Sequence, residues 1–425
     1  MLNWYPYCGP LMPIYGAIFR QLLSMGDEIT IVSSLPRHHG GTPASPSKNH
    51  FRLYEISRWE RAELIRSWVF APHSERERPS LLWRVLNFIS FNVSSALAAI
   101  LLAGKADVIF APSSPPLTNG IIAYLVSRFK RCPFVYNVQD IYPDIAVNVG
   151  LIRNRLLLLV LKFLEKSVYR VSNKVLTISE GMRDIIEKRG VPSDKLEIIE
   201  NFLDSSSFGV DPGDNEFARS FSLNDSFVIM YAGNIGVPHG VEVIVHAAEI
   251  LRDEPKTLFC FVARGERRAN IERLIRKKDL KNVMLLPPQP ENMVPQIWAA
   301  ASVGVITYRR GLAGFSLASK LFAAMCAARP VIASVDNESE TARIIESAKC
   351  GLCVQPESPG EIADAILHLK KNPEAAMEMG RRGREYVEKN LRKEVIASHY
   401  SSLFKSLVSA NPPPPAESHS GWCPE

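Results

Sequence analysis

The chain has 425 residues, 46% of them hydrophobic and 22% charged, which at about 100 to 200 residues per domain allows two or three domains with cores of their own. That composition excludes a collagen, a disulfide-rich miniprotein and a wholly disordered chain. Fifty basic residues against 44 acidic ones leave +6, too little for a dedicated nucleic-acid binder, whose affinity comes from neutralising many phosphates.

The opening string MLNWYPYCGPLMPIYG brings turn-formers almost at once, so either the first strand of an α/β domain is very short or the chain starts late. Apolar spacing predicts a helix over 15–25, ended by Gly26, and a strand over 28–33. Strands over 107–111, 133–138 and 174–178 then alternate with helices near 117–129, 156–169 and 180–188. Residues 204–224 are polar with little periodicity and read as an interdomain connection. A second series follows, with strands over 227–231, 257–263, 283–286, 303–307, 331–334 and 352–355 and helices over 241–251, 270–277, 294–301, 320–328 and 341–348. Helices near 361–371, 373–390 and 393–408 close the chain before a proline-rich tail expected to be disordered. The alternation argues for α/β with parallel sheets in two Rossmann-like halves, and ligands of such folds bind at the carboxyl ends of the strands.

Seven cysteines, an odd number in apolar contexts with no secretory signal ahead of them, suit reduced thiols in the cytoplasm. Cys350 and Cys353 form a CxxC without a second pair, and CGLCV reads as a buried strand, not a metal or redox site. Residues 85–103 carry no charge. A buried helix leading into the next strand is the favoured reading, with a helix dipping into a membrane surface as the other. Basic and aromatic residues are dense around it, among them Trp59, Arg66, Trp68 and Trp83, and again at Lys162, Lys166 and Arg170 beside LLLLVLKFL. They either solvate helix faces or make a peripheral contact with anionic lipid.

The segment FVIMYAGNIGVPHGVEVIVHAAEIL (227–251) is a strand, a turn with three glycines and a helix. Glycines let backbone N–H groups approach a ligand, and the helix start favours an anion. Gly233, Gly236 and Gly240 do not have GxGxxG spacing, so nicotinamide binding gains no support and a diphosphate is the natural guest.

Together with YAGNIG and HGVEVIVHAAEIL, the strings GDEITIVSS (26–34), SSPPLTNG (113–120), VYNVQDIYPD (135–144), LTISEGMRDII (176–186), IIENFLDSSSF (198–208) and SLASKLFAAMCAARPVIASVDNESETARII (316–345) occur in a specific order. In this the chain resembles retaining glycosyltransferases of the GT-B fold, family four, and within it the WbuB-like subgroup that builds O-antigen and colanic-acid-type polysaccharides. The resemblance runs from about residue 3 to residue 408. It implies an N-terminal acceptor domain (1–205), a C-terminal nucleotide-sugar domain (206–375), helices packing back towards the first domain (376–408) and a tail (409–425). It further implies a UDP- or GDP-linked sugar as donor, a polyprenyl-linked saccharide as acceptor, no metal or other cofactor, and a cytoplasmic enzyme peripheral to the membrane.

For the site, the resemblance places Gly233, Asn234, Gly236, His239, Arg264 and Ser319 around the donor, and Lys320 as the cation facing the departing diphosphate. Family-four enzymes put an Arg and a Lys near the glycine loop; Asn234 and His239 stand near those positions here. The family's paired glutamates map onto Phe315 and Ala323, so the ribose loses its usual acid. Glu338 or Glu340 could replace it, or Glu340 could simply support the first turn of its helix. Arg264 either reaches the base or phosphate or points to solvent. Asp140 ends a strand, where it would take the acceptor's proton, orient the acceptor, or serve as a turn residue before Tyr142–Pro143. Ser113, Ser114, Pro115 and Pro116 would shape the acceptor pocket with Tyr142, or make a rigid turn, while Asn201 reads as a capping or hinge residue. Against transfer stand two other readings: a GT-B sugar-nucleotide epimerase, and a catalytically silent GT-B homologue that binds a glycan or partner.

Overall fold

Short β-branched runs alternating with amphipathic segments resolve into two α/β lobes in the computed structural model, which describes residues 12–35, 53–70, 81–113, 116–148, 152, 154–203, 205–209, 215–312 and 319–410. In the first lobe α1 (Met12–Ser24) leads to β1 (Thr30–Ser34), and β2 (Tyr54–Trp59) turns back as β3 (Ala62–Ser67). β1 pairs with β3 in parallel and β2 pairs with β3 antiparallel. Then come α2 (Leu81–Leu101), β4 (Ile109–Pro112), α3 (Thr118–Lys130), β5 (Phe134–Val138), α4 (Asp144–Asn148), α5 (Arg155–Val171), β6 (Lys174–Thr177), α6 (Glu180–Glu187) and β7 (Leu196–Ile198). The strands β4 to β7 form a parallel sheet in sequence order. Every residue of β5 is buried, as a central parallel strand covered on both faces requires. Local chemistry starts the helices: the Asn154 side chain accepts the N–H groups of Leu156 and Leu157, and Ser179 accepts that of Met182.

The β2–β3 hairpin corrects the reading of its segment as a run of surface cations and aromatics. Its period-two alternation packs Trp59 and Arg66 inward, at 7% and 9% exposure. Arg66 donates to its cross-strand partner Glu55 at 3.1 Å and to Ser57 at 2.7 Å. Neither residue is available to a membrane.

The second lobe runs α7 (Glu216–Ser220), β8 (Phe227–Asn234), α8 (Glu242–Ile250), β9 (Thr257–Arg264), α9 (Arg268–Lys277), β10 (Val283–Leu286), α10 (Val294–Ala299), β11 (Val303–Thr307), α11 (Ser319–Cys326), β12 (Val331–Ser334), α12 (Glu340–Ala348), β13 (Gly351–Val354), α13 (Pro359–Lys371), α14 (Pro373–Asn390) and α15 (Lys393–Ala410). Its sheet is parallel in the order β10-β9-β8-β11-β12-β13, the doubly wound arrangement whose switch point lies between β8 and β11. The connection over 204–224 is less bland than its polarity suggests: Phe208 and Phe217 are buried and Asn215 caps α7. β13 is an edge strand with Cys353 exposed, so only Cys350 of the CxxC is buried. The proline-rich tail from 411 onward lies outside the described residues.

Among the closing helices, α14 stays on the second lobe. Gly380 abuts it so closely that an added Cβ would stand 2.1 Å from the Ala328 carbonyl oxygen. α15 crosses to the first lobe, where Tyr400 and Phe404 pack edge-on against Phe110 with centroids 5.7 and 5.9 Å away. Buried Ile396, Tyr400, Leu403 and Leu407 anchor it, at about 1.5–3 kcal/mol gross for each large apolar side chain.

A buried polar knot fixes the carboxyl end of β5. The Gln139 amide donates to the Tyr15 hydroxyl at 3.0 Å and to Asn137 Oδ1 at 2.8 Å, and accepts from Asn201 at 2.8 Å. Its backbone N–H donates to Ser113 Oγ at 2.9 Å, while Asn137 Nδ2 donates to Tyr400 at 2.8 Å. Asn201 is thus a tie at the lobe junction. Glu340 Oε2, at the start of α12, accepts the Gly181 N–H at the start of α6 at 3.1 Å. Each helix follows the carboxyl end of a strand, so the carboxyl edges of the two sheets face each other. Because every amide group of Gln139 is satisfied inside the protein, Gln139→Leu should cost about 2–4 kcal/mol by orphaning its partners. Thermal unfolding would show a lowered midpoint; an unchanged one would mean that the knot carries no net stability.

Candidate functional site

At the switch point β8 runs on to Asn234, three residues beyond the strand expected from its apolar residues. The extension is held on both sides. Tyr231 donates its hydroxyl to the Asn234 carbonyl at 2.7 Å, and the Ile235 N–H donates to the Arg264 carbonyl at 2.7 Å. The turn after β9 closes against this loop: a Cβ on Gly265 would lie 2.5 Å from Asn234 Oδ1 and 2.6 Å from the Ile235 carbonyl oxygen. Gly265 has φ +129° and Gly233 φ +135°, backbone shapes that L side chains rarely adopt. Asn234 is left exposed at the rim, and Arg264, its partner in register, is exposed beside it.

Lys320 lies in the first turn of α11 with its side chain packed against this loop. A Cβ on Gly233 would meet Lys320 Cε at 2.9 Å. The ammonium sits over the Tyr231 ring, 5.0 Å from its centroid, a cation–π arrangement. Burial alone lowers its pKa to about 8; among the described residues no carboxylate offsets that loss of hydration. A half-buried positive charge at a helix start, with an aromatic face as its partner, is an open position for an anion. Ser319 is exposed at the mouth of the same helix.

His239 faces the loop from the other side. Its Nδ1 accepts the Gly236 N–H at 3.2 Å and its ring lies 5.3 Å from that of Tyr308. Burial, and then the charge of Lys320, lower its pKa to about 3, so the imidazole is neutral. With Nδ1 accepting, the proton is on Nε2. Near a position where family-four enzymes carry a cation, this histidine therefore contributes a neutral N–H donor. Arg309 completes the rim: its N–H donates to the Pro238 carbonyl at 2.8 Å and its guanidinium stands 3.7 Å from Glu242.

On the opposing edge Asp140 and Tyr142 follow β5, both half-buried, with a cis Tyr142–Pro143 peptide between Tyr142 and α4. Ser113 is buried and tied to the Gln139 N–H; Ser114 and Pro115 lie outside the described residues. Glu338 is exposed at the entry to α12. Glu340 has its carboxylate committed to Gly181 and lies 3.7 Å from Arg343, which places it at the lobe contact. Among the described residues no three His, Cys, Asp or Glu side chains gather as a metal-holding group.

Two family models match in tandem: "Glycosyl transferase 4-like domain" over residues 15–201 and "Glycosyl transferases group 1" over 226–372. The chain carries both domains of a GT-B glycosyltransferase. WcaI of Escherichia coli K12, whose name assigns it to colanic acid biosynthesis as a glycosyl transferase, is 25% identical over 94% of this chain and 97% of its own. Sucrose-phosphate synthase from Thermosynechococcus elongatus shares the fold at TM-score 0.71 and 16% identity over 96% of both chains. Anabaena HepE, in complex with UDP-glucose, does so at TM-score 0.61 and 15% identity over 77% of this chain and 84% of its own.

In this glycosyltransferase Ala323 is buried in α11 one turn below Lys320, and Phe315 lies outside the described residues. Tyr308, Gly265 and Arg309 were not expected at the loop from sequence, and Tyr231 was read only as part of the YAGNIG string. Only the position of Tyr231 at the end of an apolar strand gave a signal. Among the described lysines Lys320 is the one whose pKa falls to about 8. A lysine Cε resonance titrating near that pH, absent in Lys320→Arg, is therefore expected in NMR spectra of ligand-free protein. Titration of every lysine at ordinary values, near 10.4, would contradict the packing of Lys320 on Tyr231.

Proposed function

We propose that this glycosyltransferase moves a hexosyl or N-acetylhexosaminyl group, with retention, from a UDP- or GDP-linked donor to a polyprenyl-linked saccharide in surface polysaccharide assembly. The observation that carries the reading is the Lys320 ammonium, partly stripped of water and without a described counter-ion, beside the glycine loop at the switch point. Breaking the anomeric C–O bond builds negative charge on the leaving diphosphate. A donor set fixed in place before the reaction stabilises that charge most. In this reading Lys320 supplies full charge, Asn234 and the loop N–H groups hydrogen bonds, and His239 its Nε2–H. The start of α11, with Ser319, adds its dipole.

Asp140 is assigned to the acceptor hydroxyl, which it orients and whose proton it takes, and Tyr142 to the acceptor side. Arg264 is assigned to the base or a phosphate oxygen. For the ribose, Glu338 is the better candidate, because Glu340 already accepts a hydrogen bond from Gly181. Support for polysaccharide assembly comes from the near full-length likeness to WcaI, and support for a UDP-sugar donor from the fold shared with HepE, whose complexes hold UDP-glucose.

The test is a panel of UDP- and GDP-sugars incubated with the protein and a membrane lipid extract. Nucleoside diphosphate should appear only when acceptor is present, and Lys320→Ala should lower turnover at least about tenfold. Wild-type turnover in that variant would remove Lys320 from its role. Release of a free 2-epimer without acceptor would indicate an epimerase instead. Nucleotide binding without turnover would indicate a silent homologue, the outcome that the alanine at 323 would favour.

A further inference from the structure

α5 is apolar on two opposite faces. Its inner face packs Val168 and Tyr169 into the first lobe. Its outer face, at i, i+3, i+4 and i+7, holds Leu156, Leu159, Val160 and Phe163, exposed by 71, 65, 48 and 70%. An amphipathic helix on a lobe needs only one apolar stripe, so the outer one is unexplained by folding. The neighbouring α3 and α2 extend the pattern, with Leu125 and Phe129 on α3 and Ile89, Val93, Leu97 and Leu101 on α2 all more than half exposed. Neither α5 nor any other helix among the described residues is long and apolar enough to cross a membrane.

Between the two faces of α5 runs a row of cations at i, i+4 and i+8: Lys162, Lys166 and Arg170. They border a cavity of about 520 Å³ whose wall includes Arg189 and Lys195. Those two are already engaged. Arg189 lies 2.5 Å from Glu165 and 2.9 Å from Asp144, and the Lys195 ammonium donates to the carbonyls of Arg170 and Ser172. Lys162, Lys166 and Arg170 have no acidic partner among the described residues.

We infer that α5 lies in the interface of an anionic phospholipid bilayer, with Leu156, Leu159, Val160 and Phe163 among the upper acyl chains and Lys162, Lys166 and Arg170 on the lipid phosphates. Charge complementarity selects this occupant over a second copy of the chain, whose identical row of cations would oppose a symmetric contact. An exposed apolar crown flanked by cations is what binding by shallow insertion plus attraction to anionic headgroups requires. The inference deepens the acceptor half of the proposed function and rests on it only for its purpose: a polyprenyl-linked acceptor is presented at the same surface.

The experiment is flotation of the full chain with phosphatidylcholine vesicles made with and without phosphatidylglycerol. Affinity for UDP and for GDP is measured on each variant as the check of the donor site and the fold. Wild-type protein should prefer the anionic vesicles. K162E/K166E/R170E should lose roughly a hundredfold or more in that binding, with three cations each contributing near the surface, and L159S/F163S should bind both kinds of vesicle more weakly. Nucleotide affinity should stay unchanged in both variants. Equal binding to neutral and anionic vesicles, or variants that float like the wild type, would overturn the inference, as would a dimer in sedimentation that L159S/F163S dissolves. Absence of both UDP and GDP binding in the wild type would instead count against the donor site and leave the lipid result standing.

Discussion

Lys320 is a positive charge held where water cannot fully reach it, against a tyrosine ring and a glycine that leaves room for nothing larger. The fold maintains this at a cost visible in its pKa, lowered to about 8. Such an ammonium costs stability in the empty protein and is relieved by an anion. The arrangement needs Gly233 at a positive φ, Tyr231 within β8 and α11 starting at the switch point. A neutral His239 on the far side adds a donor without a second unpaired charge.

The other constraint is the alignment of the two sheets. α15 clamps α1 and β4 with an aromatic cluster, and the Gln139 knot ties α1, β5, the lobe junction and α15 together. The Glu340–Gly181 contact sets the carboxyl edges against each other. Asp140 and Lys320 come from different lobes, so their approach depends on these junction contacts. A change at Gln139 or Glu340 can therefore act on the reaction from a distance.

The alternation of strands and helices was legible because central parallel strands are apolar throughout and their helices are capped by short polar side chains. β5, β11 and β12 show it plainly. The β2–β3 hairpin was not, since its alternation is mixed with arginines and glutamates that pair across strands. β7 is only three residues long and gave no pattern. At the site, the glycine loop and Lys320 stood out by residue type. The roles of Tyr231, Gly265 and Glu340 depend on neighbours 89, 31 and 159 positions away in sequence, Lys320, Asn234 and Gly181 respectively, and no local pattern encodes those. Residues 85–103 mislead for a related reason: α2 buries Phe91, Asn92 and Ala98 yet leaves its apolar outer stripe exposed, so the buried helix favoured from its lack of charge is buried on one side only.

The central claim, that the buried ammonium of Lys320 receives the donor's diphosphate, is tested most directly by calorimetry of UDP or GDP binding at pH 8 in buffers of different ionisation enthalpy. Burial lowers the pKa of the free Lys320 ammonium to about 8 and a bound anion raises it, so binding should take up a fraction of a proton per site. Lys320→Arg, which is always charged, should take up none. Binding of equal strength with no proton uptake in the wild-type protein would contradict the account.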